Sequence, residues 1–154
     1  MGSRMTRSKL ERVGVVATAA LGLALGLGAF TFGYAKGGSY LTNDPAACAN
    51  CHVMAEHFAA WQRASHRGVA TCNDCHTPHD LVGKYTTKMV HGYRHSKGFT
   101  FQDFHEPIRI TEKDREIVEA NCVRCHTELV SQISGPEPAG CTRCHSDVGH
   151  GARR

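Results

Sequence analysis

The stretch CNDCH, residues 72–76, is one of four copies of the pattern Cys-x-x-Cys-His, and this pattern decides what the chain folds around. The four copies contain all eight cysteines of the 154 residues. The cysteines are Cys48, Cys51, Cys72, Cys75, Cys122, Cys125, Cys141 and Cys144, and His52, His76, His126 and His145 follow the pairs. This spacing is typical of haem c, which two thiols hold by thioether bonds while the next histidine ligates the iron. The sequence therefore predicts four covalently bound haem c groups and a role in electron transfer.

Zinc and disulfide bonds are the alternatives, because paired Cys-x-x-Cys motifs also build tetrahedral thiolate sites. The histidines argue against both alternatives. Only 11 of the 154 residues are histidine, so chance would very rarely place one after all four cysteine pairs. Neither a zinc site nor a disulfide framework requires a histidine at that position.

The polar part of the chain begins near Lys36 and is too short for a large side-chain core. Haem groups must then fill the interior of this part, and the polypeptide wraps around them. We therefore predict a mostly α fold with extensive loops, in which a single N-terminal transmembrane helix precedes a small multihaem c-type cytochrome domain.

The formal charge of +4 does not indicate nucleic-acid binding. Each haem carries two propionates, so four haems add about eight negative charges and reverse the sign of the balance. The basic residues of the middle of the chain are better explained by nearby propionates, a membrane surface or a substrate. No nucleic-acid partner is expected.

A charge-free run of 23 residues, Val13–Ala35, is long enough to cross a bilayer as a helix. The basic residues Arg4, Arg7, Lys9 and Arg12 precede it and predict a cytoplasmic N-terminus. The predicted organisation is a cytoplasmic segment (residues 1–12), a transmembrane helix (13–35) and a periplasmic tetrahaem domain (36–154). A cleaved signal peptide is the alternative, although the apolar run exceeds the usual length of a signal core.

Outside the motifs, the pattern predicts helices over Met54–His66 and Thr111–Cys122, and a turn at residues 135–138. Aromatic residues cluster between Tyr93 and Ile110. They either pack on haem or form a loop at the membrane interface, where aromatic rings are favoured.

The motifs and their flanks resemble the NapC/NirT class of tetrahaem quinol dehydrogenases, especially the small subunits of cytochrome c nitrite reductase complexes. The resemblance covers nearly the whole chain and rests on the N-terminal anchor, on the extension of the first motif to Met54, and on three further segments. These segments are CNDCHTPH (72–79), NCVRCH (121–126) and CTRCHSDVGH (141–150). The resemblance implies oxidation of menaquinol at the cytoplasmic membrane and electron delivery to a periplasmic pentahaem nitrite reductase, which forms ammonium.

The resemblance also implies the iron ligands. Met54 binds haem 1 in place of His52, and a thioether raises the potential of that haem. Haem 2 takes His76 and His150, haem 3 takes His126 and a lysine of the catalytic partner, and haem 4 takes His145 and His66. A second strong ligand suits electron transfer, because it keeps small molecules off the iron.

A quinol site beside haem 1 is implied by the same resemblance, with Lys88 and His95 as its residues. Some relatives have an aspartate where this chain has His95, which can ligate haem 1, accept a proton, or do both. A solvated charge is the alternative for Lys88. Two other functions stay open: a NapC-like dehydrogenase that feeds another periplasmic reductase, and an electron-shuttling cytochrome without a quinol site.

Overall fold

The structure is a computed structural model, and it describes residues 7–133 and 140–151. The chain divides into two compact units, residues 1–39 and 40–154. The α-helices are α1 (Arg7–Tyr34), α2 (Pro45–Cys48), α3 (Ala55–Trp61), α4 (Cys72–His76), α5 (Leu81–Phe101), α6 (Glu112–Cys125), α7 (Thr127–Ile133) and α8 (Cys141–Cys144). Short 3-10 turns occupy Gly37–Leu41, His52–Met54 and Ser65–Gly68. The turn predicted at 135–138 lies outside the described residues.

Helix α1 makes up most of the first unit. An 18-residue stretch of this helix has a mean hydropathy of 2.1, and none of the 28 residues is buried. At 1.5 Å per residue the helix is about 42 Å long, more than the roughly 30 Å of a bilayer core. The prediction of one N-terminal apolar helix is therefore confirmed. Length and composition alone fit both a membrane anchor and a signal sequence.

The second unit is helical, as predicted, and no strand occurs within residues 40–133 or 140–151. Helix α6 is its centre, because α4, α7 and α8 all pack against it. The predicted start of this helix is confirmed: the Thr111 hydroxyl accepts a hydrogen bond from the Asp114 amide at 3.3 Å and caps the first turn. The helix runs to Cys125, three residues beyond the predicted end.

Side chains alone give this unit almost no core. Among residues 40–133 and 140–151 only Ala47, Thr77, Gly98 and Asn121 are buried. A domain of this size ordinarily buries a contiguous set of large apolar side chains. The packing therefore fits the prediction that other groups fill the interior.

The helix predicted over Met54–His66 is shorter in the structure and ends at Trp61. The Trp61 indole nitrogen donates to the Ala70 carbonyl at 3.1 Å, so the chain folds back after the helix. Ala64 is extended (φ −74°, ψ 155°), and His66 lies in a separate 3-10 turn. The prediction of one continuous helix up to His66 was wrong.

Part of the aromatic segment predicted as a possible interface loop belongs to the long helix α5. The Asp80 side chain caps its start by accepting from the Gly83 amide at 2.6 Å, and Gln102 ends it in the left-handed region (φ 56°). Only the residues after Phe101 form a loop. Its Phe104 packs on Phe99 of the helix, with ring centroids 4.8 Å apart.

Candidate haem sites

The four motifs are numbered 1 to 4 in chain order, beginning at Cys48, Cys72, Cys122 and Cys141. Motifs 2, 3 and 4 each lie on a helical turn. Motif 2 is helix α4 itself, motif 3 forms the end of α6, and motif 4 is helix α8. Residues three apart on a helix lie on one side, so each turn presents both thiols together. The motif histidine then ends the helix or follows its last residue.

Motif 1 differs from the others. Helix α2 ends at Cys48, and Cys51 is extended (φ −86°, ψ 122°). The next three residues form a 3-10 turn in which His52 is exposed and Met54 is half-buried. Met54 is therefore less exposed than His52.

The thiols of the motifs come together in two pairs. The sulfur atoms of Cys48 and Cys72 lie close to each other, and the Lys88 charge lies near Cys48. Cys122 and Cys141 form a second thiol pair. The structure thus brings motif 1 to motif 2 and motif 3 to motif 4.

The donor set suits thioether-bound haem. No two of the eight cysteines are joined by a disulfide bond. In the part of the chain that the structure describes, no three His, Cys, Asp or Glu side chains form a cluster able to hold a metal ion. The four Cys-x-x-Cys-His motifs, together with the scarcity of buried apolar side chains, fit covalently bound haem better than zinc.

The rings of His76 and His150 lie close together. Their ring centroids are 5.6 Å apart and their planes differ by 13°. The two imidazoles would be the candidates to hold one haem iron. Burial and the neighbouring His150 lower the pKa of His76 to about 4, so it stays neutral, the form that binds metals.

His66 and His126 also come together, with ring centroids 6.1 Å apart and planes at 78°. The described residues show no ring contact between His66 and His145. The pairing of His66 with His145 on haem 4 therefore stays a prediction, and the ring geometry offers His126 as the alternative neighbour of His66.

His126 lies at an open cleft of about 590 Å³. The cleft is lined by Cys125, His126, Thr127, Glu128, Leu129 and Gln132. His126 itself is exposed. The surroundings of motif 3 are therefore accessible to another protein.

Lys88 lies beside motif 1. Its ammonium group donates to the carbonyls of Tyr40 at 2.9 Å and Thr42 at 2.6 Å, and its charge acts on the Cys48 thiol. Burial and then the charge of Lys84 lower the pKa of Lys88. An ammonium group has three donors, and these two bonds use two of them. A role of Lys88 in a quinol site stays a prediction.

His95 lies two turns beyond Lys88 on the same face of helix α5. Burial and then the charge of His91 lower its pKa. The two histidine rings stack with centroids 5.9 Å apart, and the His91 Nε2 is 2.9 Å from a carboxylate oxygen of Asp114. This face of α5 therefore carries an ammonium group and two imidazoles, and α6 adds a carboxylate beside His91; such groups can bind hydroxyl groups and exchange protons.

Residues 8–134 match the family described as the NapC/NirT cytochrome c family, N-terminal region. The match covers helix α1 and the first three motifs. The chain belongs to the NapC/NirT cytochrome c family. It is accordingly a c-type cytochrome with covalently bound haem, and the family resemblance drawn from the motifs is confirmed.

Two NapC/NirT-type relatives are close in sequence. The cytochrome c-type protein NrfH of Wolinella succinogenes is 38% identical over 146 residues, which cover 86% of this chain and 82% of that protein. The cytochrome c nitrite reductase subunit NrfH of Nitratidesulfovibrio vulgaris is 32% identical over 114 residues, which cover 73% and 71% of the two chains.

A solved structure gives the same relationship in three dimensions. It is a crystal structure of a cytochrome c nitrite reductase NrfHA complex bound to the inhibitor HQNO. The matched chain has a TM-score of 0.60 and is 30% identical, with 88% of this chain and 89% of that chain covered. The NapC/NirT cytochrome fold is thus shared over nearly the full length.

Several residues at these sites escaped the sequence argument. His57 has its ring 5.2 Å from that of His150, and His91 contacts the Asp114 carboxylate beside His95. Asn121 and Glu119 bond to other motifs from helix α6. The position of Asn121 directly before Cys122 was a usable signal, because an amide side chain next to a haem motif is a candidate for hydrogen bonds to neighbouring motifs.

Proposed function

We propose that this chain is a membrane-anchored tetrahaem cytochrome that oxidises menaquinol and passes electrons to a periplasmic pentahaem nitrite reductase. The single observation that carries the proposal is the position of Lys88. Its ammonium group donates to two backbone carbonyls beside motif 1, and its third donor is left for the quinol. The relative named as a cytochrome c nitrite reductase subunit and the solved NrfHA complex support the choice of partner. The chain then lies in the cytoplasmic membrane with one span and its haem unit on the periplasmic face.

The residues that would hold the haems follow from the motifs. The eight cysteines form the thioethers, Met54 replaces His52 on haem 1, and His76 with His150 binds haem 2. His126 binds haem 3, and His145 with His66 binds haem 4. When bound, each haem accepts and releases one electron at a time. The half-buried Met54 and the near-parallel rings of His76 and His150 support these assignments.

The quinol site uses Lys88 and His95. The free donor of the Lys88 ammonium group holds a quinol oxygen beside motif 1, while its other two donors stay on the Tyr40 and Thr42 carbonyls. His95, kept neutral by its lowered pKa, accepts a proton. A neutral His95 is also free to ligate haem 1, and the two roles are compatible at different stages of turnover.

The alternative functions share most of these features. A cytochrome that feeds another periplasmic reductase keeps the quinol site and changes only the partner. An electron shuttle needs no quinol site, and the clamped Lys88 has no purpose in it beyond structure. The relative and the solved complex whose names include cytochrome c nitrite reductase favour the proposed function over both alternatives.

The spin state of haem 3 provides a test of the proposed partner. Because His126 is exposed at an open cleft, the isolated chain is expected to contain one incompletely ligated haem. Adding the catalytic subunit of nitrite reductase is expected to convert that haem to low spin, as a lysine of the partner completes its ligands. Absorption and magnetic circular dichroism spectra before and after mixing measure the change, once a pyridine haemochrome assay has returned four haems per chain.

A spectrum that stays unchanged while the complex forms would mean that the sixth ligand is internal. The variant His66→Ala separates the two cases, because the His66 ring is 6.1 Å from that of His126. With the proposed ligands, the isolated variant has two high-spin haems, haem 3 and haem 4, and the complex converts only haem 3 to low spin. A variant in which haem 3 becomes high spin only because His66 is lost, with haem 4 unchanged, would show that His66 is the internal ligand of haem 3 and would rule out the partner ligand.

A further inference from the structure

The last two turns of helix α6 contact the motifs on both sides of motif 3. Asn121 precedes Cys122 and is only 8% exposed. Its amide nitrogen donates to the carbonyl of Cys75 at 3.0 Å and to that of Thr77 at 3.0 Å. An amide nitrogen has two donors, so both are used on the end of motif 2.

Glu119 forms hydrogen bonds to motif 4, as Asn121 does to motif 2. Its carboxylate accepts hydrogen bonds from the Cys141 amide at 2.6 Å, the Thr142 amide at 2.9 Å and the Thr142 hydroxyl at 2.5 Å. The two amides belong to the first turn of α8, where backbone donors lack partners within the helix. These bonds outweigh burial and lower the pKa of Glu119, which keeps the carboxylate ionised.

The two residues are two positions apart, which places them about 200° apart around the helix axis. Motif 2 and motif 4 are therefore held on opposite sides of the helix whose end carries motif 3. We propose that Asn121 and Glu119 are positioning residues for electron transfer: Asn121 fixes haem 2 against haem 3, and Glu119 fixes haem 4 against haem 3. The proposal rests on the proposed haem assignment and not on the quinol or the nitrite reductase.

Hydrogen bonds of this kind act on the attachment segment, and so on the haem that the segment holds. Each haem is tied to its segment at two thioethers, so a shift of the segment moves the porphyrin with it. Loss of the hydrogen bonds of either Asn121 or Glu119 is expected to change the relative position of the haems in one neighbouring pair and to leave the other pair unchanged. General loosening of the domain would instead change both pairs together.

The test compares the variants Asn121→Leu and Glu119→Leu in the otherwise intact protein with four haems. Magnetic coupling between neighbouring oxidised haems, measured by electron paramagnetic resonance, reports each haem pair, and a redox titration reports the potentials. Asn121→Leu is expected to lose the coupling of haems 2 and 3 and keep that of haems 3 and 4, and Glu119→Leu is expected to do the opposite. Reduction by dithionite provides the electrons, so neither quinol nor partner enters the result.

Matched controls are available in the chain. Gln62→Leu removes an exposed amide that lies outside the motifs, and Glu116→Leu removes an exposed carboxylate from α6 itself. Both controls are expected to keep wild-type coupling. If either leucine variant matures with fewer than four haems, Asn121→Asp and Glu119→Gln, which keep the shape, take its place. Coupling that is unchanged in both test variants, or altered in both haem pairs by either one, would overturn the proposal.

Discussion

Replacing Lys88 with leucine is expected to slow the reduction of all four haems by menaquinol about 10- to 100-fold, while reduction by dithionite stays at the wild-type rate. The size is that of one hydrogen bond to a charged group, about 1.5–3 kcal/mol. The physical reason is the arrangement of donors: two hold the Tyr40 and Thr42 carbonyls, and the third is left for the quinol. Stopped-flow absorption in detergent with a soluble menaquinol analogue measures both rates.

Two further variants sharpen this prediction. Lys113→Leu removes the same charge from an exposed position on helix α6 and is expected to reduce at the wild-type rate. His95→Leu is expected to slow quinol-driven reduction as well, because a neutral base is lost. Normal quinol-driven rates in both Lys88→Leu and His95→Leu would place the quinol site elsewhere or show that this cytochrome does not oxidise quinol.

Replacing Met54 with histidine is expected to lower the potential of haem 1 by the order of 0.1 V, within the roughly 0.8 V that axial ligands span. A thioether stabilises the reduced iron more than an imidazole does, so its loss favours the oxidised haem. The extended Cys51 and the exposed His52 favour Met54 as the ligand. A spectroelectrochemical titration follows the four potentials.

The control for this variant is Met89→His, which changes a methionine that is 69% exposed on helix α5. It is expected to leave all four potentials in place. Potentials that are the same in Met54→His and in the wild-type protein would mean that Met54 only packs and that His52 binds the iron.

The sequence predicted the features that depend on local pattern. The Cys-x-x-Cys-His spacing located all four motifs, and the charge-free run located helix α1. Thr111 and Asp114 predicted the start of α6, because a capping hydroxyl followed by an acidic first turn is a local signal.

The remaining features depend on contacts between residues far apart in the chain. The hydrogen bonds from Asn121 to Cys75 and Thr77 join residues 46 and 44 positions apart, and no periodic pattern in the sequence predicts them. The helix up to Phe101 was missed because Gly83, Gly92 and β-branched residues lower its local helix propensity. The break after Trp61 depends on its bond to Ala70.

Delivery of electrons from menaquinol to nitrite is the most direct test of the central claim. The chain is placed in proteoliposomes that contain menaquinol, and pentahaem nitrite reductase and nitrite are added outside. The account predicts that ammonium forms and menaquinol is consumed only when this chain is present, and that Lys88→Leu slows both. Haems that menaquinol leaves oxidised, or haems that it reduces without any ammonium being formed, would contradict it.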